Sequence, residues 1–507
     1  MDRLPSSSPP KRLHEVAARL GVPLAAEAPD ALVDGLHHDS RRVGPGQLWL
    51  ALPGGRHHGA EFSAGAAARG AVAAISDRPC PGLTTLLVPD PRRCAGPLAD
   101  WLHGSPSAHL EVLGVTGTNG KTSTTHLLEA GMAGAGACTG LISGVVVRGP
   151  GEQRVPALTT SEAADLQRDL ALLRATGVER VALEVSSHAL ALHRVDGTRF
   201  RAAVFTNLAA DHLDLHHDME GYLAAKARLF EPERCALAVV GVDDVWGRRL
   251  ARDLGAVAAV PVVTTSAHGQ RADWTATDVH ADASGTRFRL RGPGTDRTVR
   301  LRLLGAHQAD NALSALAALL STGTDPDAAV RGVGALGLVP GRMEVVDVGQ
   351  PFRALVDFAH NAHGVERALE HLRSTTRGRL HVVLGQRGGR DPSKAFPLGE
   401  AAGRLADVVV VTDEGAHDED PAHLRALVVA GARSAGRARV SEVPDRDAAM
   451  AAAAAAAGPD DVLVVLGRGT DQRMTAAGVS TPFDDRLALG LAIAATSGAP
   501  LPVCRQG

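Results

Sequence analysis

Residues 114–124 read GVTGTNGKTST. They follow an apolar run, LEVLGV (110–115), and lead into KTSTTHLLEAGMAGAG (121–136), whose pattern predicts a helix. A strand, a glycine-rich turn and Lys121-Thr122 at a helix start would aim backbone N–H groups and the helix dipole at phosphate oxygens. The usual template is glycine, four residues, then Gly-Lys-Ser/Thr. Here Val115 holds the first glycine position, and the glycines stand at Gly114 and Gly117. In the strand–helix context the loop still reads as a nucleotide site. Gly117, Thr118, Asn119, Gly120 and Ser123 would surround the phosphates, Lys121 would reach the β- and γ-phosphates, and the Thr122 hydroxyl would ligate Mg²⁺.

Working outward, the same alternation recurs. Buried-type strands at RVALEVS and RAAVFTNL end in polar residues, and FRALVDFAH, LHVVLGQ, DVVVVTDEG and DVLVVLGRG repeat the pattern further on. Alternating strands and helices mean a parallel sheet that binds ligands at its strands' carboxyl ends. At 507 residues the chain exceeds one core. It divides into 1–105, 106–338 and 339–507, with HGSPSA (103–108) as a linker and the Ala-rich run Ala448–Ala457 as a helix before a strand. Net charge is −3 and aromatics are 3%, which gives no case for nucleic acid or a membrane surface. Five scattered cysteines without a C-x-x-C pair argue against a disulfide framework or a zinc ribbon. With no signal peptide or spanning run, the expected location is the cytoplasm.

Several clusters sit where a nucleotide domain needs them. Glu184 ends a strand beside the loop, where the metal of a nucleotide wants a hard oxygen. Asp211, His212, Asp214, His216, His217 and Asp218 crowd together; a zinc site is one reading, but the position after a strand of the nucleotide domain favours Mg²⁺. Lys226, in MEGYLAAKARLF, reads as a solvated helix face unless something recruits it inward. Gln308 and Asn311 open an Ala/Leu-rich helix, where amides would otherwise be caps. Arg342, Asp357 and His360 lie on loops that could face the nucleotide from the third block.

With these residues in hand, the chain resembles the Mur ligase family, most nearly its MurE type, over almost its whole length. TGTNGKT is that family's variant of the phosphate loop. The resemblance implies an α/β fold of three domains. They are an N-terminal UDP-substrate domain, a central P-loop parallel-sheet ATPase domain and a Rossmann-like, amino-acid-binding C-terminal domain. It implies an ATP- and Mg²⁺-dependent ligase of peptidoglycan synthesis. Such an enzyme adds an amino acid to UDP-N-acetylmuramoyl-L-alanyl-D-glutamate, or a similar carboxylate, through an acyl phosphate, and is expected to be a monomer. HHDSRRVGPGQLWLALPG resembles the uridine pocket, with Ser40 on the uracil side. LTTSEAADL places Thr159, Thr160 and Ser161 on the muramoyl peptide, and EVSSHAL with the following His-Arg adds Ser186 and Arg194. Glu184, His212 and Lys226 join Thr122 as metal residues, Lys226 as a carbamate. Lys121, Lys226 and His212 become the catalytic set. Gln308, Asn311, Arg342, Asp357 and His360 bind ATP, and GRDPSK supplies Arg390, Asp391 and Lys394.

The departures concentrate at the acceptor end. Leu192 replaces a glutamine, and His307-Gln308 replaces Phe-Asn. The D-N-P-R amino-acid signature has become Asp413-Glu414-Gly415-Ala416, and Asp471 stands where the family has glutamate. Asp413, Glu414 and Asp471 are therefore the acceptor residues, and meso-diaminopimelate is not the expected acceptor unless another arginine, Arg387 or Arg468, replaces the missing one. Two further readings remain: a MurE-like ligase joining a different acid and amine in a specialised pathway, and a catalytically inactive nucleotide-binding partner. A folylpolyglutamate-type ligase shares HQ and DFAHNAH but not the uridine-pocket pattern.

Overall fold

A computed structural model describes residues 8–55, 57–389 and 391–497. Arg390, named above, lies outside the described residues.

Three large sheets follow one another along the chain, alongside two small two-stranded ones among the described residues. The first has four parallel strands in the order Gly35–His37, Gln47–Leu50, Ala73–Ser76 and Thr85–Leu87. Helix Pro91–Leu102 covers it, with Leu98 and Leu102 packed against Leu48, Ile75 and Leu86. That helix starts where the sequence allows a start. Asp90 accepts the N–H groups of Arg92 and Arg93, and Pro91 occupies the first turn, where a missing N–H costs nothing.

The second sheet has eleven strands, built around Glu111–Thr116. The chain first places Thr139–Ile142 and Arg180–Glu184 on one side of that strand. It then crosses to place Ala202–Phe205, Ala238–Gly241 and Val262–Ser266 on the other. The loop after Glu111–Thr116 therefore sits where the winding reverses, and a crevice opens there at the strand ends. Helices cover both faces of these parallel strands, so the strands read as unbroken apolar runs. Three antiparallel-paired strands, Trp274–Asp282, Gly285–Gly292 and Thr295–Leu301, extend the sheet.

In the third sheet an antiparallel edge strand, Glu344–Val346, precedes five parallel strands. These run Arg353–Asp357, Val462–Leu466, Leu380–Leu384, Val408–Val411 and Arg439–Glu442. The expected Ala-rich helix is Arg446–Ala456, ahead of strand Val462–Leu466. No helix among the described residues is long and apolar enough to cross a membrane. Arg446 and Asp485 form a fully buried ion pair, with 2.6 Å between Nη2 and Oδ2, and Arg446 also donates to the Leu466 carbonyl. Asp485→Ala would leave a guanidinium buried without its counter-charge. Its expected cost is about 3–5 kcal/mol, read as an earlier unfolding transition of this domain in urea.

Candidate functional site

A cavity of about 380 Å³ lies between the carboxyl ends of the second and third sheets. The phosphate loop forms its floor. Gly120 has φ +86°, and a Cβ there would come within 2.2 Å of the Asn311 amide oxygen, so the position demands glycine on both counts. Asn207 fixes the loop by accepting from the Asn119 N–H at 3.1 Å and donating to the Asn119 carbonyl at 3.0 Å. The Lys121 ammonium donates to the Thr118 carbonyl at 2.8 Å. Burial holds it below the ordinary lysine range, against the attraction of Glu184 and Asp211.

Thr122 and Glu184 stand in contact, each carboxylate oxygen 3.1 Å from the hydroxyl, and the Gly144 N–H steadies the carboxylate at 2.8 Å. A buried carboxylate beside a hydroxyl is a hard-oxygen set that fits Mg²⁺. Arg342 reaches over from the third domain and donates to the Thr122 hydroxyl at 2.9 Å, its guanidinium 4.4 Å from the Phe358 ring centre. Asp357 lines the cavity but spends both oxygens on the N–H groups of Met343 and Ala359.

Lys226 is only 1% exposed and lies beneath the loop, not in the cavity wall. Its ammonium donates to the Gly117 carbonyl at 2.7 Å and sits 4.4 Å from the Tyr222 ring centre. Burial, reinforced by the charge of Lys121, pushes it well below the ordinary range. The reading of Lys226 as a solvated face is thus corrected. Tyr222, Leu223 and Lys226, spaced by three and four positions, share the buried face of helix Met219–Ala227.

The four residues expected at the metal do not form one cluster. Thr122 and Glu184 are paired, Lys226 faces Gly117, and His212, at φ +54°, packs edge-on to His188 with ring centres 4.7 Å apart. Among the described residues, one group of three carboxylate and imidazole side chains comes within 4.8 Å, namely Asp243, His268 and Asp310, and there Arg367 already pairs with Asp310.

Asp211, 2% exposed, is where the two domains meet. It takes the Lys394 ammonium and the Asn361 amide (3.3 Å) from the third domain, and His360 lies 3.4 Å away. Asn361 also donates to the Asn119 side chain at 3.2 Å while capping helix Ala362–Thr375. Sequence reasoning missed it, because an asparagine at a helix start reads as a cap and nothing more.

Gln308 and Asn311 line another part of the cavity, where the Asn311 side-chain amide donates to the Gln308 amide oxygen at 3.0 Å. Of the residues expected at the carboxylate donor, Thr159, Ser186 and Arg194 line the cavity, whereas Thr160 does not. The Thr160 hydroxyl is fully buried and clips the Glu184 carbonyl to the Ser186 N–H. Ser161 lies outside the cavity wall, and Ser40 lies in the first domain, also outside it. Asp413 is another correction. It pairs with Arg425 rather than turning to the cavity, which Glu414 and Asp471 do line.

Fold and site together define a three-domain enzyme that closes a phosphate loop against a second Rossmann-like sheet. The chain matches the Mur ligase middle domain over residues 115–319, the Mur ligase glutamate ligase domain over 341–469 and the Mur ligase family catalytic domain over 32–81. It is 46% identical to the UDP-N-acetylmuramoyl-L-alanyl-D-glutamate–2,6-diaminopimelate ligase of Streptomyces avermitilis, across 96% of this chain and 97% of that one. It is 38% identical to the UDP-N-acetylmuramyl-tripeptide synthetase of Deinococcus radiodurans, across 94% and 98%. A solved UDP-N-acetylmuramoyl-L-alanyl-D-glutamate–2,6-diaminopimelate ligase superposes with a TM-score of 0.65 at 29% identity, covering 94% of this chain and 97% of that one. The chain belongs to the Mur ligase family and is an ATP-dependent amide ligase.

Proposed function

We propose that the protein joins the amine of an amino acid to the terminal carboxylate of UDP-N-acetylmuramoyl-L-alanyl-D-glutamate, through an acyl phosphate. The observation that carries this reading is the convergence of Lys121, Thr122, Glu184 and Arg342 on one cavity that Thr159, Ser186 and Arg194 enter from the other side. A carboxylate oxygen attacks the γ-phosphorus and ADP leaves; the free amine then attacks the acyl carbon, inorganic phosphate leaves, and the nitrogen loses a proton.

Lys121 and Arg342 are both basic and both half-buried in the cavity wall, so the charge spreading over the transferred phosphoryl group would meet fixed donors. Thr122 and Glu184 would hold Mg²⁺, which when bound neutralises phosphate oxygens. His212 and a carbamylated Lys226 would serve a second metal position. Thr159, Ser186 and Arg194 would orient the donor so that its carboxylate meets the phosphorus in line. Asp211, held by Lys394, Asn361 and His360, keeps the third domain closed over the reactants.

The test is incubation with ATP, Mg²⁺, the UDP-muramoyl dipeptide and a panel of amino acids, reading ADP and the product mass. ADP formation that needs both donor and amine supports the reading, and ADP formation indifferent to the donor overturns it. Arg342→Lys is expected to raise KM for ATP roughly tenfold, because a lysine keeps the charge but loses the planar stack on Phe358. An unchanged KM would remove Arg342 from the nucleotide site.

A further inference from the structure

At the acceptor end of the cavity, one carboxylate takes no hydrogen bond from the described residues. Glu414 is 4% exposed, and its carboxylate lies in the cavity wall against the Gly467 backbone, where an added Cβ would come within 2.1 Å of Oε2. No described residue donates a hydrogen bond to that carboxylate. The nearby guanidinium groups direct their hydrogen bonds elsewhere, and the Arg468 Nε, 3.5 Å from Asp485, makes none. Arg446 gives its donors to Asp485 and to the Leu466 carbonyl. Arg468, 1% exposed, donates to the backbone carbonyls of Glu414, Asp471, Arg473 and Phe483. Burial accordingly pushes the Glu414 carboxyl up to about 7, more than Arg446 and Arg468 pull it down. A buried carboxylate left without a donor is costly, and a ligand that brings one removes the cost.

The second feature of this wall is the pair Arg387–Asp471, 2.9 Å apart and about one-third exposed on each side. Arg387 is the guanidinium that could grip an incoming side-chain carboxylate, but Asp471 already neutralises it, and its Nε donates to His417 at 3.2 Å. A carboxylate entering here meets Glu414 directly and must compete with Asp471 for Arg387. A cation meets the opposite situation.

We propose that Glu414 selects an acceptor amino acid whose side chain carries an ammonium group, and that Glu414 with the Arg387–Asp471 pair disfavours a side-chain carboxylate. This rests on the amide-ligase reading above and goes beyond it by naming the acceptor class. The relatives at 46% identity carry diaminopimelate in their names; the selection inferred here separates this chain from them.

Three acceptors isolate the two effects. Lysine has the ammonium, norleucine lacks it and ends in a methyl group, and meso-diaminopimelate adds a carboxylate on the carbon that bears it. With the UDP-muramoyl dipeptide as donor, kcat/KM for lysine is expected to exceed that for each of the other two by at least tenfold. Glu414→Gln is expected to lower the lysine value at least tenfold while moving the norleucine value less than threefold, so that discrimination collapses. Asp471→Asn, which releases Arg387, is expected to raise diaminopimelate use relative to lysine. Preference for diaminopimelate by the unaltered enzyme, or an equal loss on lysine and norleucine in Glu414→Gln, would overturn the proposal. Positional isotope exchange in ATP with the donor and no amine reports the first half-reaction separately. Exchange with a wrong acceptor order defeats the selection alone, and no exchange with this donor defeats the underlying reading.

Discussion

Lys121→Ala is expected to lower kcat/KM for ATP by roughly 10³-fold or more, with the fold intact. The ammonium sits inside the phosphate loop, and no other lysine lines the cavity from that loop. Its neighbour Arg342 donates to Thr122, and Lys394 is held by Asp211, so neither is free to take over. The native protein bears the desolvation of this ammonium for one hydrogen bond, to Thr118. Removing it therefore takes little from stability, and the melting temperature is expected to stay within about 3 °C. Rate and melting curve together check the outcome. A variant that turns over near the normal rate would remove Lys121 from phosphoryl transfer, and one that melts far earlier would make the lysine structural.

The second large effect belongs to Lys226. Burial, reinforced by the neighbouring lysine charge, weakens the Lys226 ammonium and so favours the neutral amine, the form that can add carbon dioxide. The nitrogen lone pair forms the N–C bond and the nitrogen gives up a proton, leaving a carbamate with two oxygens close to the loop. Lys226→Ala is expected to lose about 10²-fold or more in kcat, with partial recovery in formate or acetate. Enzyme stripped of carbon dioxide should lose activity and regain it with bicarbonate. The signal of a carbamate carbon after equilibration with ¹³C-bicarbonate checks this directly; full activity with no such signal would show that Lys226 works as an amine.

Much of the fold was legible because its period was. Apolar strands such as VVVV at 408–411 and VLVVL at 462–466 are buried on both faces, and Gly120-Lys121-Thr122 sits between strand and helix as its chemistry requires. The floor of the site was legible for the same reason, since Thr122 and its loop are contiguous. What escaped were pairings across long separations. Lys394 meets Asp211 across 183 positions and Arg342 meets Thr122 across 220, and no local pattern encodes either. The loop expected to bind the acceptor was only partly legible for a related reason. Asp413 and Glu414 are neighbours on one loop leaving a strand, yet Asp413 turns to Arg425 and Glu414 to the cavity. Adjacent residues diverge there, and only the fold says which one faces the cavity. Lys226 shows the converse: it read as a solvated face, although Tyr222 and Leu223 at helical spacing were the local signal that its face is buried.

The route through an acyl phosphate can be followed by the fate of oxygen. The donor's terminal carboxylate is labelled with oxygen-18 and turned over with ATP, Mg²⁺ and lysine, and the released inorganic phosphate and the amide product are analysed by mass. Phosphoryl transfer to the carboxylate predicts one labelled oxygen in the phosphate and the other in the amide carbonyl. Label found in AMP with pyrophosphate as the other product, or phosphate without label, would contradict it.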